Sequence, residues 1–168
     1  KKIRENGYYY IDKTGLISEL LKEESTEVTL ITRPRRFGKT LGMSMLANFF
    51  DIRKDSEELY RNLQISKERS LCKKWMNQYP TIFLSFKDVD GLDFESAREM
   101  LFSAITELYK EHLYLLDSPK ISSYDKEIIQ EIVEKKASVS GFKTSLFLLI
   151  RTMHLHYQKP VILLLDEY

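Results

Sequence analysis

The apolar positions along the chain switch between two periods. Leu16, Ile17, Leu20 and Leu21 fall at helical spacing behind Asp12 and Thr14, either of which can cap a short helix. Residues 8–13, Tyr-Tyr-Tyr-Ile-Asp-Lys, read as extended. A charged link over residues 22–27 leads to Val28-Thr29-Leu30-Ile31-Thr32, a β-branched and apolar run that predicts a buried strand. Pro34 ends that strand and Gly38 marks a tight turn. From Thr40 to Phe50, Leu41, Met45, Leu46, Phe49 and Phe50 return at helical spacing. Asp55 to Asn62 predicts a short helix, with Asp55 and Glu58 at capping-box spacing, and another helix covers about 67–77. Pro80 then precedes Thr81-Ile82-Phe83-Leu84-Ser85-Phe86, a second strand.

The second half reads as helical until its end. Phe94, Ala97, Leu101, Ile105, Leu108 and His112 keep one period through a long helix. Further helices are expected near Tyr124–Lys136 and Phe142–Tyr157, and Pro160 leads into a last strand, Val161–Leu165. Strands alternating with helices predict an α/β layered fold with a mainly parallel sheet.

Composition narrows the class. With 168 residues, 43% of them hydrophobic and 12% aromatic, the chain can bury a core of one domain. Lys and Arg number 26 against 25 Asp and Glu, so no whole-molecule charge argues for nucleic acid or an anionic membrane. The single cysteine, Cys72, excludes an internal disulfide and fits a reducing compartment. The apolar runs Leu146–Ile150 and Val161–Leu165 fall far short of the roughly 20 residues of a membrane span. No apolar segment follows Lys1-Lys2, so no signal peptide and a cytoplasmic location are expected. The last strand ends on Asp166-Glu167-Tyr168, and the natural protein is expected to continue beyond it.

The most informative segment is Arg33-Pro34-Arg35-Arg36-Phe37-Gly38-Lys39-Thr40. A phosphate loop is Gly, four residues, then Gly-Lys-Ser/Thr between a strand and a helix. Gly38-Lys39-Thr40 match, and the expected strand and helix flank them. Gly38 lets the backbone approach a phosphate, Lys39 can reach the β- and γ-phosphates, and Thr40 can offer its hydroxyl to Mg2+. Amides from Phe37 to Leu41 open the helix and carry the positive end of its dipole. Arg33 stands where the first Gly is usual, and Pro34 lacks an N–H. Arg33, Arg35 and Arg36 add three guanidinium groups that can contact phosphate directly. By itself Gly-Lys-Ser/Thr arises by chance in about one in ten chains of this length, so a basic surface turn is the competing reading.

The second motif is the last strand, an apolar run delivering Asp166 and Glu167 at its C-terminal end. That is the Walker-B pattern, with Asp166 holding Mg2+ and Glu167 orienting the attacking water. A strand followed by a solvated acidic turn is the alternative. Ligands of parallel sheets sit at that edge. Lys39 and Asp166 are 127 residues apart, and the helices of about 93–158 supply the excess as an insertion.

Other candidates carry less. His154 and His156 are two apart on a helix and point in different directions, so they do not form a chelating pair. His112 is expected on a helix flank, Cys72 beside Trp75 in packing, and the stretch Asp125–Lys136 on a solvated face. Tyr8, Tyr9 and Tyr10 either stack on a base or form a β-edge.

The sequence resembles the predicted AAA-ATPase-like proteins of bacteria. The matching residues are Tyr10-Ile11-Asp12-Lys13-Thr14, Arg33 through Thr40, Tyr79-Pro80, and Leu164-Leu165-Asp166-Glu167-Tyr168. The resemblance implies a three-layer P-loop NTPase domain of the additional-strand class, binding ATP and Mg2+. It implies nucleotide contacts by Arg33, Arg35, Arg36, Phe37, Gly38, Lys39, Thr40 and Leu41. Thr40 and Asp166 become the metal residues, and Glu167 and Lys39 the catalytic ones. An adenine-side role for Tyr10–Thr14 is compatible with it. Members commonly carry a C-terminal domain similar to the PD-(D/E)XK nucleases, which would bring nucleic acid to the whole protein. The sensor residue, the arginine finger and one sheet strand are expected beyond Tyr168. The missing strand would leave a gap repaired by repacking or by self-association. Hydrolysis is accordingly expected of the intact protein more than of residues 1–168. The rival functions are a nucleotide-binding module that does not hydrolyse, and a nucleic-acid module using Arg33, Arg35 and Arg36, whose affinity would fall steeply with salt.

Overall fold

The computed structural model describes residues 5–22, 27–32, 38–87, 89 and 93–167. The chain divides into two compact units, residues 1–83 and 84–168.

The first unit is built around α2. Helix α1 spans Gly15–Lys22 and α2 spans Lys39–Phe50; α3 is the single turn Glu57–Tyr60. A 3-10 helix at Gln64–Lys67 and α4, Arg69–Trp75, lead towards strand β1, Thr81–Ser85. In α2 every residue from Met45 to Phe50 is buried, Tyr60 packs on it, and Ile17 and Ile65 are fully buried in the same unit. Phe49 meets Phe50 and Tyr60 edge-on, and Phe50 meets Trp75 in the same way. The Tyr60 hydroxyl donates to the Met45 carbonyl at 2.6 Å, and burial pushes its pKa up. Cys72 packs here, its thiol donating to the Ile65 carbonyl at 3.3 Å. Burial, then Glu68, pushes that thiol up, so it is a poor nucleophile.

The last carbonyls of a helix need partners. At the end of α2 they come from the approach to β1. Asn77 N–H donates to the Phe49 carbonyl at 2.7 Å and Tyr79 N–H to the Phe50 carbonyl at 3.1 Å. The Asn77 side chain donates to the carbonyls of Asn48 and Asp51 and accepts from the Ser56 N–H. Its backbone is left-handed at φ 54°, a conformation Asn tolerates better than most residues.

Two expectations fail in this unit. Residues 28–32 form no strand, and Val28 and Leu30 are 84% and 63% exposed. A five-residue β-branched run needs a neighbour for its backbone groups, and none pairs with it among the described residues. The short helix is capped by Ser56 rather than Asp55, and without a side-chain cap, because the Ser56 hydroxyl donates to the Asn48 carbonyl at 2.7 Å. The capping-box spacing of Asp55 and Glu58 is therefore not used.

The second unit is three packed helices and a strand. Helix α5 spans Phe94–Lys110, α6 Ser123–Val133, α7 Val139–Tyr157, and β2 Ile162–Asp166. Each helix starts on a side-chain cap: Asp93 accepts from Ser96 N–H, Ser122 from Asp125 N–H, and Ser138 from Gly141 N–H. Phe102 stacks on Phe142 at 4.1 Å, Thr106 Oγ1 donates to the Ile132 carbonyl, and the Tyr109 hydroxyl donates to the Ser145 carbonyl. Tyr109, Ile129, Ile132, Leu149 and Met153 are fully buried among them. Strand β2 pairs with β1 in a two-stranded parallel sheet, extended by a bond from Phe86 N–H to the Asp166 carbonyl. The protein is thus a mixed α/β chain with a small parallel sheet.

The predicted long helix through His112 stops at Lys110. His112 leaves helical geometry at φ −118°, is buried, and its Nδ1 lies 3.0 Å from the Tyr114 hydroxyl, so it is a core residue rather than a flank. Asp125 also departs from the solvated face expected of it. It is 5% exposed and accepts from Arg151 on α7 at 2.6 Å. His154 and His156 go separate ways, to the Lys159 carbonyl and the Ser118 hydroxyl. Burial, then Lys120, holds the pKa of His156 down. Among the described residues no helix is long and apolar enough to cross a membrane.

Candidate functional site

The start of α2 is opened by a left-handed glycine. Gly38 is its N-cap, in the left-handed conformation at φ 76°, with no side chain to cap the first amides. The first backbone bond runs from Gly42 N–H to the Gly38 carbonyl at 2.9 Å. The amides of Lys39, Thr40 and Leu41 precede it and have no partner within the helix. The first turn holds no acidic residue to offset the dipole, and it carries Lys39 instead. Lys39 is half-buried, whereas Thr40 and Leu41 are exposed. Free amides, the dipole and a lysine in the first turn are the features that favour an anion at a helix start.

Glycine is favoured at position 38 by its backbone conformation. A side chain at φ 76° costs about 1–2 kcal/mol. A Cβ there would also lie 3.4 Å from the ammonium nitrogen of Lys13. The sequence singled out Lys13 only within the string Tyr10–Thr14, with an adenine-side role and no phosphate contact. Its signal was its place in the string Tyr10–Thr14; the contact itself joins positions 25 apart and has no local pattern. Arg33, Arg35, Arg36 and Phe37, the remaining expected nucleotide contacts, lie outside the described residues.

Asp166 and Glu167 belong to the second unit. Asp166 ends β2, is 3% exposed, and its Oδ2 is buried with no hydrogen-bond partner among the described residues. A buried carboxylate oxygen left unmatched is costly, and a cation is the partner that best offsets it. Glu167 follows, exposed, with its backbone left-handed at φ 55°. Among the described residues no group of three or more His, Cys, Asp or Glu side chains could hold a metal ion.

The chain belongs to the family described as Predicted AAA-ATPase, whose model matches residues 1–168, and this places it among nucleotide-binding ATPase-like domains. The resemblance seen in the motifs therefore holds at the level of the family. An uncharacterized protein in the vnfD 5' region of Azotobacter chroococcum mcd 1 is 41% identical over 86 residues. Those residues are 51% of this chain and 15% of that protein, so the chain spans a small part of that relative's length. No solved structure matches.

Proposed function

We propose that the chain is the ATP-binding domain of a P-loop ATPase, Mg2+-dependent in binding and hydrolytic in the intact protein. In this reading the whole domain has the three-layer, additional-strand architecture, and the helices of about 93–158 are its insertion. The observation that carries the reading is the start of α2, where a left-handed Gly38 opens directly onto Lys39 and Thr40 with no acid in the turn.

Each residue has a role fixed by its chemistry. Gly38 admits the phosphates to the backbone, and the amides through Leu41 donate to them. Lys39 neutralises charge on the β- and γ-phosphates. Arg33, Arg35 and Arg36, with the Phe37 amide, complete the phosphate contacts. Thr40 and Asp166 would hold Mg2+, whose chemistry when bound is to neutralise charge on the phosphate oxygens. Glu167 accepts a proton from water and orients it. The buried, unmatched Asp166 Oδ2 supports the metal role. A nuclease-like C-terminal domain would account for any nucleic-acid partner of the intact protein, and self-association would supply a neighbour for the exposed 28–32 run.

Titration of ATP into the protein with and without Mg2+ tests this reading. Saturable binding that strengthens by about tenfold or more with Mg2+ is expected, since one charge-assisted contact has about that worth. An absence of ATP binding under both conditions would overturn it.

A further inference from the structure

The structure places Lys13 where the proposed function has no role for it. Its ammonium nitrogen would sit 3.4 Å from a Cβ on Gly38, which puts it against the turn that must admit phosphate. This closeness is engineered by its two neighbours in the chain. Asp12 Oδ1 accepts from the Thr14 N–H at 2.8 Å and from the Thr14 hydroxyl at 2.6 Å. Asp12 Oδ2 accepts from the Gln64 N–H at 2.6 Å, and Thr14 Oγ1 accepts from the Ile65 N–H at 3.1 Å. Asp12 and Thr14 thus latch the segment to the 3-10 helix from both sides of Lys13. Thr14 is fully buried while Lys13 is exposed. On the other flank, the Tyr10 hydroxyl contacts Met45 Sδ of α2 at 3.5 Å.

The Asp12 carboxylate is taken up by the Thr14 and Gln64 amides and the Thr14 hydroxyl, and positive groups gather on the other side of the latch. Lys13 Nζ would lie 3.4 Å from a Cβ on Gly38, Lys39 follows Gly38 in the chain, and the positive end of α2 opens at the same residue. The first turn of α2 contributes no acid. Positive groups gathered on one turn repel each other, and a polyanion relieves that repulsion. The backbone on both sides of Lys13 is fixed, so its side chain starts from a set place beside Gly38.

We propose that Lys13 is a second phosphate-contacting lysine of the nucleotide site, working beside Lys39 on the polyphosphate of a nucleoside triphosphate. The proposal rests on the reading that α2 receives the phosphates. It gives the Tyr10–Thr14 string a phosphate-side role in place of an adenine-side one. Asp12 and Thr14 are positioning residues, and Lys13 alone touches the ligand.

The experiment measures affinity for Mg2+–ATP and for adenosine in the wild type, Lys13→Ala and Lys39→Ala. Lys13→Ala is expected to weaken ATP binding by about ten- to a hundredfold, the usual effect of losing one charge-assisted contact. Adenosine affinity is expected to stay unchanged, which also shows that the variant is folded. Unchanged ATP affinity in Lys13→Ala, with loss in Lys39→Ala, would overturn the role of Lys13 and leave the phosphate site standing. Equal losses for ATP and adenosine would overturn it in favour of a base-side contact. Unchanged ATP affinity in Lys39→Ala would overturn the reading of α2 itself.

Discussion

Glu167→Gln is expected to lower ATP turnover of the intact protein by about 10²–10⁴-fold while leaving Mg2+–ATP affinity nearly unchanged. Gln keeps the size and the hydrogen-bonding reach of Glu but cannot accept the proton of an attacking water. Glu167 is exposed at the end of β2, so the amide brings no new burial cost. The left-handed backbone at φ 55° is strained equally for both residues, so the fold gives no reason for a change. Steady-state phosphate release and equilibrium binding, measured side by side, separate the outcomes. Turnover retained in the variant would remove Glu167 from the chemistry. Absence of turnover in the wild-type intact protein, with binding retained, would favour a nucleotide-binding module that does not hydrolyse.

Asn77→Ala is expected to destabilise the first unit by about 3 kcal/mol, as three net hydrogen bonds are worth about 1 kcal/mol each. The side chain ties Asn48, Asp51 and Ser56 together at the end of α2. Some carbonyls keep a second donor, since Asn48 also accepts from the Ser56 hydroxyl and Asp51 from the Lys54 N–H. The Ser56 N–H loses the partner shown for it. Ala at φ 54° adds backbone strain of about 1–2 kcal/mol, which offsets any relief from those second donors. Asn77→Gly separates the two causes, because glycine takes the left-handed conformation freely. Urea unfolding of both variants is the check. Asn77→Gly should recover about 1 kcal/mol of the loss. A loss below about 1 kcal/mol in Asn77→Ala would contradict the view that Asn77 anchors α2.

Helices α2, α5, α6 and α7 were legible because their apolar residues return at helical spacing, although only α6 and α7 bury a single stripe along their length. Strands β1 and β2 were legible as apolar runs placed after Pro80 and Pro160. Val28–Thr32 has the same composition yet forms no strand, because a strand is a property of a pair and composition describes only one member. His112 and Asp125 were misread for a related reason. Tyr114 and Arg151 make them core residues, and neither partner follows from helical period. Ser56 displaced Asp55 as the cap because a serine hydroxyl bonded to Asn48 fixes the entry to α3.

The candidate site divides in the same manner. Gly38-Lys39-Thr40 was legible because its geometry is local: a left-handed glycine, then a helix. Asp166 was legible as the acidic end of an apolar strand, and its burial with an unmatched oxygen adds a reason that sequence alone did not contain. Lys13 was hidden because its position depends on amides at Gln64 and Ile65, about fifty residues further on.

Calorimetric titration of Mg2+–ATP into the wild type and Lys39→Ala tests the central claim most directly. Saturable wild-type binding that weakens by about a hundredfold or more in the variant is expected, since a buried charge-assisted contact to phosphate is worth about 3 kcal/mol. Equal binding by both proteins would contradict a phosphate site at the start of α2.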